Sequence, residues 1–486
     1  MRSKLFLLLV SLSAPLISAD KPVNGSSTVW DGMTAILATI RPPVFPDKVF
    51  DVTNYGAKPD GTTDCTEAFK KAIAECAAAG GGRVVAQGGV FLTGPIHLLS
   101  KVELRVDKGA TLRFLPDRNR YLPVVRSRYE GTECMNYSPL IYAFEKEDVA
   151  VTGGGTLDGG ANSNTWWNMA KKGKKTASQA GGLLGGPDLI KMGNDGVPVE
   201  QRIFGDKGNL RPNFLVFYRC KNILVEGVTI INSPMWEIHP VFSSNVTVRG
   251  VTISTHGPNN DGCDPDSSKG VLIENCIFDT GDDCIAIKSG KDGDGRRVNI
   301  PSEDIVIRNC QMKDGHGGVV IGSENAGGVR NVYAENCTLD SPNLLRALRI
   351  KSNALRGGFA EGIYMRDCKI GAVKESILTI DLVYEKVRSG PFKPVVRDVL
   401  MERVTATRAP RVLSIEGIPE STISGIRLVD CDFSGVSRAD LLDNAGDVCY
   451  KNVRVVPPKK PAAPESDPDT KSKPKSDSSG MSDESQ

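Results

Sequence analysis

The chain repeats itself. The unit apolar-x-apolar-x-(Gly/Asn/Asp)-(Val/Cys)-x-apolar begins at Val149 and recurs from Ile223, Val246, Val271, Ile305, Val332, Ile363, Val399, Ile426 and Val453. From Ile223 onward the period is roughly 23 to 36 residues, the range of solenoid repeats. Each repeat holds several short β-branched runs separated by turn residues. That pattern specifies an all-β chain wound as a parallel β-helix. A leucine-rich repeat has a similar period but would place leucine at most core positions. A sandwich or barrel would not explain one register kept over so many turns.

Four segments share a finer alignment. Cys263-Asp264-Pro265-Asp266-Ser267 lies over Ile285-Ala286-Ile287-Lys288-Ser289, then Val319-Val320-Ile321-Gly322-Ser323, then Leu348-Arg349-Ile350-Lys351-Ser352. The period is two, so one set of side chains faces inward and the alternate set outward. The outward pairs are Asp264/Asp266, Ala286/Lys288, Val320/Gly322 and Arg349/Lys351. Turns just before these strands deliver Asp261, Asp282, Asp283 and His316 to the same outer face. With parallel strands ~4.8 Å apart, the acids fall at one end of a strip about three strands wide, and Arg349 and Lys351 at the other.

The flanking regions frame this strip. Arg2 and Lys4, the apolar run Leu5 to Ile17, and Ile17-Ser18-Ala19 read as a secretory signal over residues 1–19. The run is too short to span a bilayer. Export to the periplasm or the extracellular space is expected, with no membrane attachment after cleavage. Sixty Lys+Arg against 58 Asp+Glu exclude nucleic acid as the main partner. From Asp64, with Glu67 completing a capping box, an amphipathic helix presents Ala68, Phe69, Ala72, Ile73, Cys76 and Ala77 on one face. Such a helix suits a cap over the first coil, whose edge would otherwise be open. Residues 20–456 then form one solenoid domain, expected to be monomeric. Residues 457–486 are a polar tail expected to be disordered. Cys276, Cys310, Cys337, Cys368 and Cys431 share one repeat position and read as a ladder of small buried thiols. Disulfides remain an alternative in an exported chain, Cys65–Cys76 and Cys431–Cys449 among them.

The motif order Asn259-Asn260-Asp261-Gly262-Cys263-Asp264, Gly281-Asp282-Asp283, Gly315-His316-Gly317, Arg349-Ile350-Lys351 on a β-helix resembles the polygalacturonase family, glycoside hydrolase family 28. Arg211-Pro212, Asn232-Ser233-Pro234-Met235-Trp236 and Tyr129 to Pro139 support the resemblance, which covers about Asp51 to Val455. Asn260 stands where the family usually has threonine. The resemblance implies a right-handed β-helix that cleaves α-linked galacturonic acid in pectin by inverting hydrolysis. It implies Asp282 as general acid, Asp261 and Asp283 as shared base, His316 as the group that tunes the acid, and Arg349 with Lys351 as the grip on the uronate. Lys288 is a further candidate substrate contact.

The residue types suit that chemistry independently. Glycosidic cleavage needs one protonated carboxyl and one or two carboxylates that activate water. Inverting enzymes hold these groups ~6.5–9.5 Å apart. Clustered acids raise at least one pKa, so one can remain protonated. No cofactor or metal is expected. Three alternatives stay open: a calcium-dependent pectate lyase, a hydrolase of rhamnogalacturonan or other pectic side chains, and a non-catalytic glycan-binding β-helix. Asp264, Asp266 and Asp279 read as ordinary turn acids, His97 and His256 as structural, His239 as a lesser candidate for the cleft, and Tyr384, on a later strand, as a lesser candidate to reach the site. The insertion Gly159–Arg211 enters just before the coils of the site. Its Trp166-Trp167 pair either stacks on sugar or pins the loop. With the Asp292–Arg297 loop, whose Arg296 and Arg297 either meet a terminal sugar's carboxylate or form an exposed basic turn, it supplies a wall. A walled cleft implies exo-action, with release of single uronates from the non-reducing end.

Overall fold

The structure, a computed structural model, describes residues 28–179 and 181–458. The expected signal segment and the chain beyond Pro458 lie outside the described residues. Two 13-stranded parallel sheets run the length of the molecule. A third face is built from a four-stranded sheet (Ile96–His97, Ile141–Phe144, Leu215–Tyr218, Ile238–Val241) and a six-stranded one (Ile285–Ile287 through Leu441–Asp443). Bridges from Ile238 to Cys263 to Ile285, and from Val241 to Asp266 to Lys288, join the two into one surface. This is the parallel β-helix read from the repeat.

The repeat formula has a direct backbone cause. Its fifth position turns the chain from one sheet to the next with left-handed backbone: Gly227, Gly250, Asn275, Asn309 and Asp367 have φ between 53° and 75°. Gly, Asn and Asp tolerate that region best. The apolar positions stack coil on coil into one continuous core. The last repeat starts at Val448, which pairs with Ile426, and not at Val453. Val453 follows the turn residue Asn452 and corresponds to the Val/Cys position. The five register cysteines are free and buried, a thiol ladder. Cys65, Cys76 and Cys449 are free as well.

The cap helix spans Thr66–Ala78 and buries Ala68, Phe69, Ala72, Ile73 and Cys76. Its N-cap is Cys65, one residue later than expected, because Asp64 belongs to the strand Asp60–Asp64. Asp64 still accepts from the Thr66 amide at 3.0 Å. Glu67 completes no box and instead lies 3.5 Å from Lys70. A second helix, Val29–Thr39, was not anticipated. Its Trp30 and Met33 cover Leu272, Val306, Tyr333 and Tyr364 on the outside of a long sheet.

The insertion folds mainly as short helices. Leu189, Phe204 and Leu210 pack with Tyr129, Cys134 and Trp236 over the four-stranded half of the third face. The tryptophan pair pins it. Trp166 is buried edge-on to Tyr121, and the Trp167 indole donates to the Ser233 carbonyl at 2.9 Å. Asp292–Val298 is a helix tied to the insertion by a buried Arg202–Asp294 pair at 2.8 Å. Arg297 binds Asp294 and Glu133, and Arg296 donates to the carbonyls of Leu355 and Arg356. Both arginines are braces of the wall and do not line the cavity.

A hairpin, Val125–Tyr129 with Thr132–Asn136, is clamped to the same surface by Arg128. The guanidinium meets Asp266 at 2.9 Å, both groups fully buried, and stacks 4.6 Å from the Phe242 ring. The other Asp266 oxygen meets His239 at 3.3 Å, and His239 meets Asn213 at 2.8 Å. Asp266 and His239 are therefore structural. Removing one member strands a buried charge, at a cost of roughly 3–5 kcal/mol. Arg128→Met is expected to lower unfolding stability by that amount in urea titrations. A loss below about 1 kcal/mol would mean that the clamp contributes little.

Candidate active site

The expected register holds. Ile285, Ala286 and Ile287 pair with Val319, Val320 and Ile321, and these with Leu348, Arg349 and Ile350. Backbone bonds extend it into the turns. The Gly262 amide donates to the Asp283 carbonyl at 3.0 Å and the His316 amide to the Asp282 carbonyl at 3.0 Å. The glycines around His316 are required by close approach. A Cβ at Gly315 would sit 2.7 Å from the Asp282 carbonyl, and one at Gly317 2.5 Å from Val320. Asn260 is buried and locks its turn. It accepts from Thr255 and the Gly257 amide at 2.6 Å each and donates to the carbonyls of Ser233 and Met235. Arg211 braces the same turn through Pro234, Pro258 and Asn259. The substitution of asparagine for threonine thus adds anchors.

Asp261, Asp282 and Asp283 bring carboxylate oxygens within 4.8 Å of one another. That is closer than the wide spacing expected of an inverting pair. Each acid has a cationic or imidazole partner. Lys351 meets Asp283 at 2.6 Å, Lys288 meets Asp261 at 3.3 Å, and His316 Nδ1 meets Asp282 at 2.8 Å. Asp261 Oδ1 and Asp283 Oδ1 are buried and receive no hydrogen bond from the chain. Divalent metal would fit the spacing of the three oxygens, but Lys288 and Lys351 already supply positive charge at the partner oxygens. This donor set suits a water molecule better than calcium.

The electrostatics separate the three. Burial pushes the Asp261 carboxyl well up, Lys288 opposes, and Asp282 and Asp283 push further. Burial also acts to raise Asp282, but the hydrogen bond and charge of His316 outweigh it, and its carboxyl is held below the ordinary 3.8. His316 is raised above 6.5 by the same bond. The expectation that crowding would raise an acid holds, but the acid raised is Asp261, because Asp282 alone has an imidazole beside it.

Arg349 has no carboxylate within 4.0 Å among the described residues, and its guanidinium lies 5.5 Å from the Tyr384 ring. Lys351 lies 5.4 Å from the same ring. Tyr384, a lesser candidate expected on a strand, lies beside both cations, carried there by the loop after Asp381. Lys288 sits over Trp236 at 4.2 Å and also meets Glu324 at 3.2 Å. A cavity of about 180 Å³ opens here, lined by Asp261, Asp282, Lys288, Lys351 and Tyr384. Its walls come from elsewhere: Lys174 from the insertion, Glu130 from the hairpin, and Lys291, Glu324 and Glu385 from later loops. None of these carries a local sequence signal, since each reaches the cavity through tertiary packing. His97 pairs with Ser138 and His256 with Asp279, away from the acids.

Comparison with known proteins places the chain in a family. The model of glycosyl hydrolases family 28 matches residues 200–449. A probable polygalacturonase of Vitis vinifera is 28% identical over 77% of this chain and 72% of its own. An exo-poly-alpha-D-galacturonosidase of Dickeya chrysanthemi is 30% identical over 74% of this chain and 60% of its own. The crystal structure of a hyperthermoactive exopolygalacturonase from Thermotoga maritima superposes with a TM-score of 0.83 at 46% identity, covering 88% of this chain and 96% of that one. The fold is a parallel β-helix, and the chain belongs to glycosyl hydrolases family 28.

Beneath Asp261 lie two further acids. Glu237 and Asp264 are fully buried, and none of their four carboxylate oxygens has a partner in the chain. Asp264 is thus no ordinary turn acid. Burial raises both well above the usual range, with Asp264 and Asp261 adding to Glu237. The folded chain then holds protons that the unfolded chain releases. Stability falls as pH climbs from the unfolded glutamate value of 4.5 toward the higher folded value. Glu237→Gln cannot ionise. Its melting temperature is expected to fall less steeply with pH above 4.5 than that of the natural chain; identical slopes would mean Glu237 is ionised when folded.

Proposed function

We propose that the protein hydrolyses α-1,4-linked galacturonic acid in polygalacturonate with inversion, working from the non-reducing chain end. The observation that carries the reading is an acid trio at a cavity walled on one side, beside an arginine that has no counter-ion among the described residues. Arg349 offers a uronate carboxylate two parallel hydrogen bonds, and Lys351 a second charge. A neutral sugar at this position would leave the guanidinium unmatched, which favours polygalacturonate over neutral side chains. The names of the Vitis, Dickeya and Thermotoga relatives support the same substrate.

Asp282 and His316 together hold the catalytic proton. In the free protein it resides on the imidazole side of their hydrogen bond. A uronate entering beside Lys351 masks a cation that holds Asp282 down and expels water. Both changes favour moving the proton onto the Asp282 carboxyl, from which the glycosidic oxygen takes it. Asp261 and Asp283 hold the attacking water between their two unpartnered oxygens. Water adds to the anomeric carbon as the bond to the leaving oxygen breaks, and its proton passes to the carboxylate pair.

Spacing alone sits nearer the geometry in which a carboxylate attacks directly. The lysine on each of Asp261 and Asp283 argues against direct attack, because it lowers their nucleophilicity and holds them at the cavity floor. Lys288 acts chiefly by orienting Asp261. Export places such an enzyme where the polymer is, in the periplasm or outside the cell.

Asp282→Asn is expected to lower kcat by about 10²–10⁴-fold with little change in KM. Anomer-resolved NMR of the first product of the natural enzyme is expected to show inverted configuration. Retained configuration would transfer the nucleophile role to Asp261 or Asp283. An unsaturated product absorbing in the ultraviolet, lost on chelation, would favour a lyase.

A further inference from the structure

Past Arg349 and Lys351 the third face continues through Ser376–Asp381 and Arg411–Glu416 to Leu441–Asp443. The side-chain columns continue with it. Lys351 lies opposite Asp381, and Asp381 opposite Glu416, while Arg349 lies opposite Thr379, and Thr379 opposite Ser414. Neither the insertion nor the hairpin reaches this half. Two hollows follow the cavity in line. The first, about 620 Å³, is bounded by Arg349, Asp381, Tyr384, Arg388 and Glu416. The second, about 360 Å³, is bounded by Arg346, Lys374, Asp381, Arg411 and Arg438. Tyr384 and Glu385 border both the catalytic cavity and the first hollow. Asp381 and Glu416 border both hollows, so the three form one trough.

The charges along the trough are unevenly matched. Glu375 is held by Arg346, and Glu416 by Arg388 at 2.6 Å. Burial raises the Asp381 carboxyl, and its oxygen accepts from the Val383 amide at 3.0 Å. Among the described residues, Lys374, Arg411 and Arg438 have no carboxylate within 4.0 Å. They border the second hollow. Arg411 lies two strands beyond Arg349 but in the Arg346 row, three residues nearer the strand start, and so about 14 Å away at ~4.8 Å per strand and ~3.3 Å per residue. That reach is comparable to about three residues of an extended polysaccharide.

We propose that this trough binds the leaving part of the substrate chain, with Lys374, Arg411 and Arg438 receiving the carboxylate of a uronate about three residues beyond the cleaved bond. The proposal rests on the uronate reading of the catalytic cavity. It makes the enzyme favour chains long enough to reach the second hollow, although it releases one unit at a time.

The test compares the natural enzyme with the triple variant Lys374→Gln, Arg411→Gln, Arg438→Gln on digalacturonate and tetragalacturonate. Three weak surface interactions sum to about tenfold in kcat/KM. The expected result is a loss of about that size on tetragalacturonate, carried by KM and diminished by salt, with digalacturonate unchanged within about twofold. The digalacturonate arm also reports that the variant is folded. Equal loss on both substrates, or none on either, overturns the proposal. Calorimetric binding of tetragalacturonate to the Asp282→Asn protein, with and without the triple change, gives a second readout. Affinity unchanged by the triple change overturns it independently of turnover. If the natural enzyme cleaves neither oligomer, the uronate reading fails first.

Discussion

The in-register stacking of parallel strands on the third face sets the positions of the three acids, His316, Lys288, Arg349 and Lys351. Neighbouring strands lie ~4.8 Å apart, and side chains alternate across the sheet. A residue's place in the repeat therefore fixes both the face it occupies and the residue it lies beside. Cys263, Ile285, Val319 and Leu348 stack inward as one apolar column. The acids and cations are what that column leaves on the outer side. A one-residue slip in any of these strands would turn its functional side chains into the core.

The same face is used in two ways along its length. On the amino-terminal half, the hairpin and the insertion bury Tyr142, Val216, Tyr218 and His239. On the carboxyl-terminal half the outer surface is polar from Arg349 to Arg438, and the Tyr384 loop folds over its first cations. The acid trio lies at the boundary. The buried Arg128–Asp266 and Arg202–Asp294 pairs hold the cover in place, so the stability of the wall and the shape of the catalytic cavity depend on the same ion pairs. Each acid of the trio has a lysine or an imidazole beside it, while Arg349 has no carboxylate within 4.0 Å among the described residues and is left to meet an incoming anion.

Much of this was legible in the sequence because it is periodic. The β-helix, the strand register and the grouping of Asp261, Asp282, Asp283, His316, Arg349 and Lys351 all follow from the alternation of apolar residues. What was not legible depends on packing between distant segments. Tyr384 lies in a loop outside the repeat, yet that loop folds back over Lys351. Asp264 looked like a turn acid, because its burial comes from elements far away in sequence. Glu237 stands one residue after Trp236 in a motif that gave no hint of an unpaired carboxyl. Arg296 and Arg297 looked free because Asp294 and Glu133 are recognised as partners only once the wall is folded. The Val29–Thr39 helix was missed although Trp30, Met33 and Leu37 have helical spacing, since its partner surface lies on strands over 200 residues away.

The central claim is that the catalytic cavity ends a trough closed on one side, so that the enzyme works inward from a chain end. A time course on polygalacturonate that follows viscosity and reducing ends together tests it directly. The account predicts that reducing ends rise steadily as single uronates while viscosity barely moves. An early collapse of viscosity with mixed oligomers would show that the chain passes through the site, and that the insertion and hairpin do not close it.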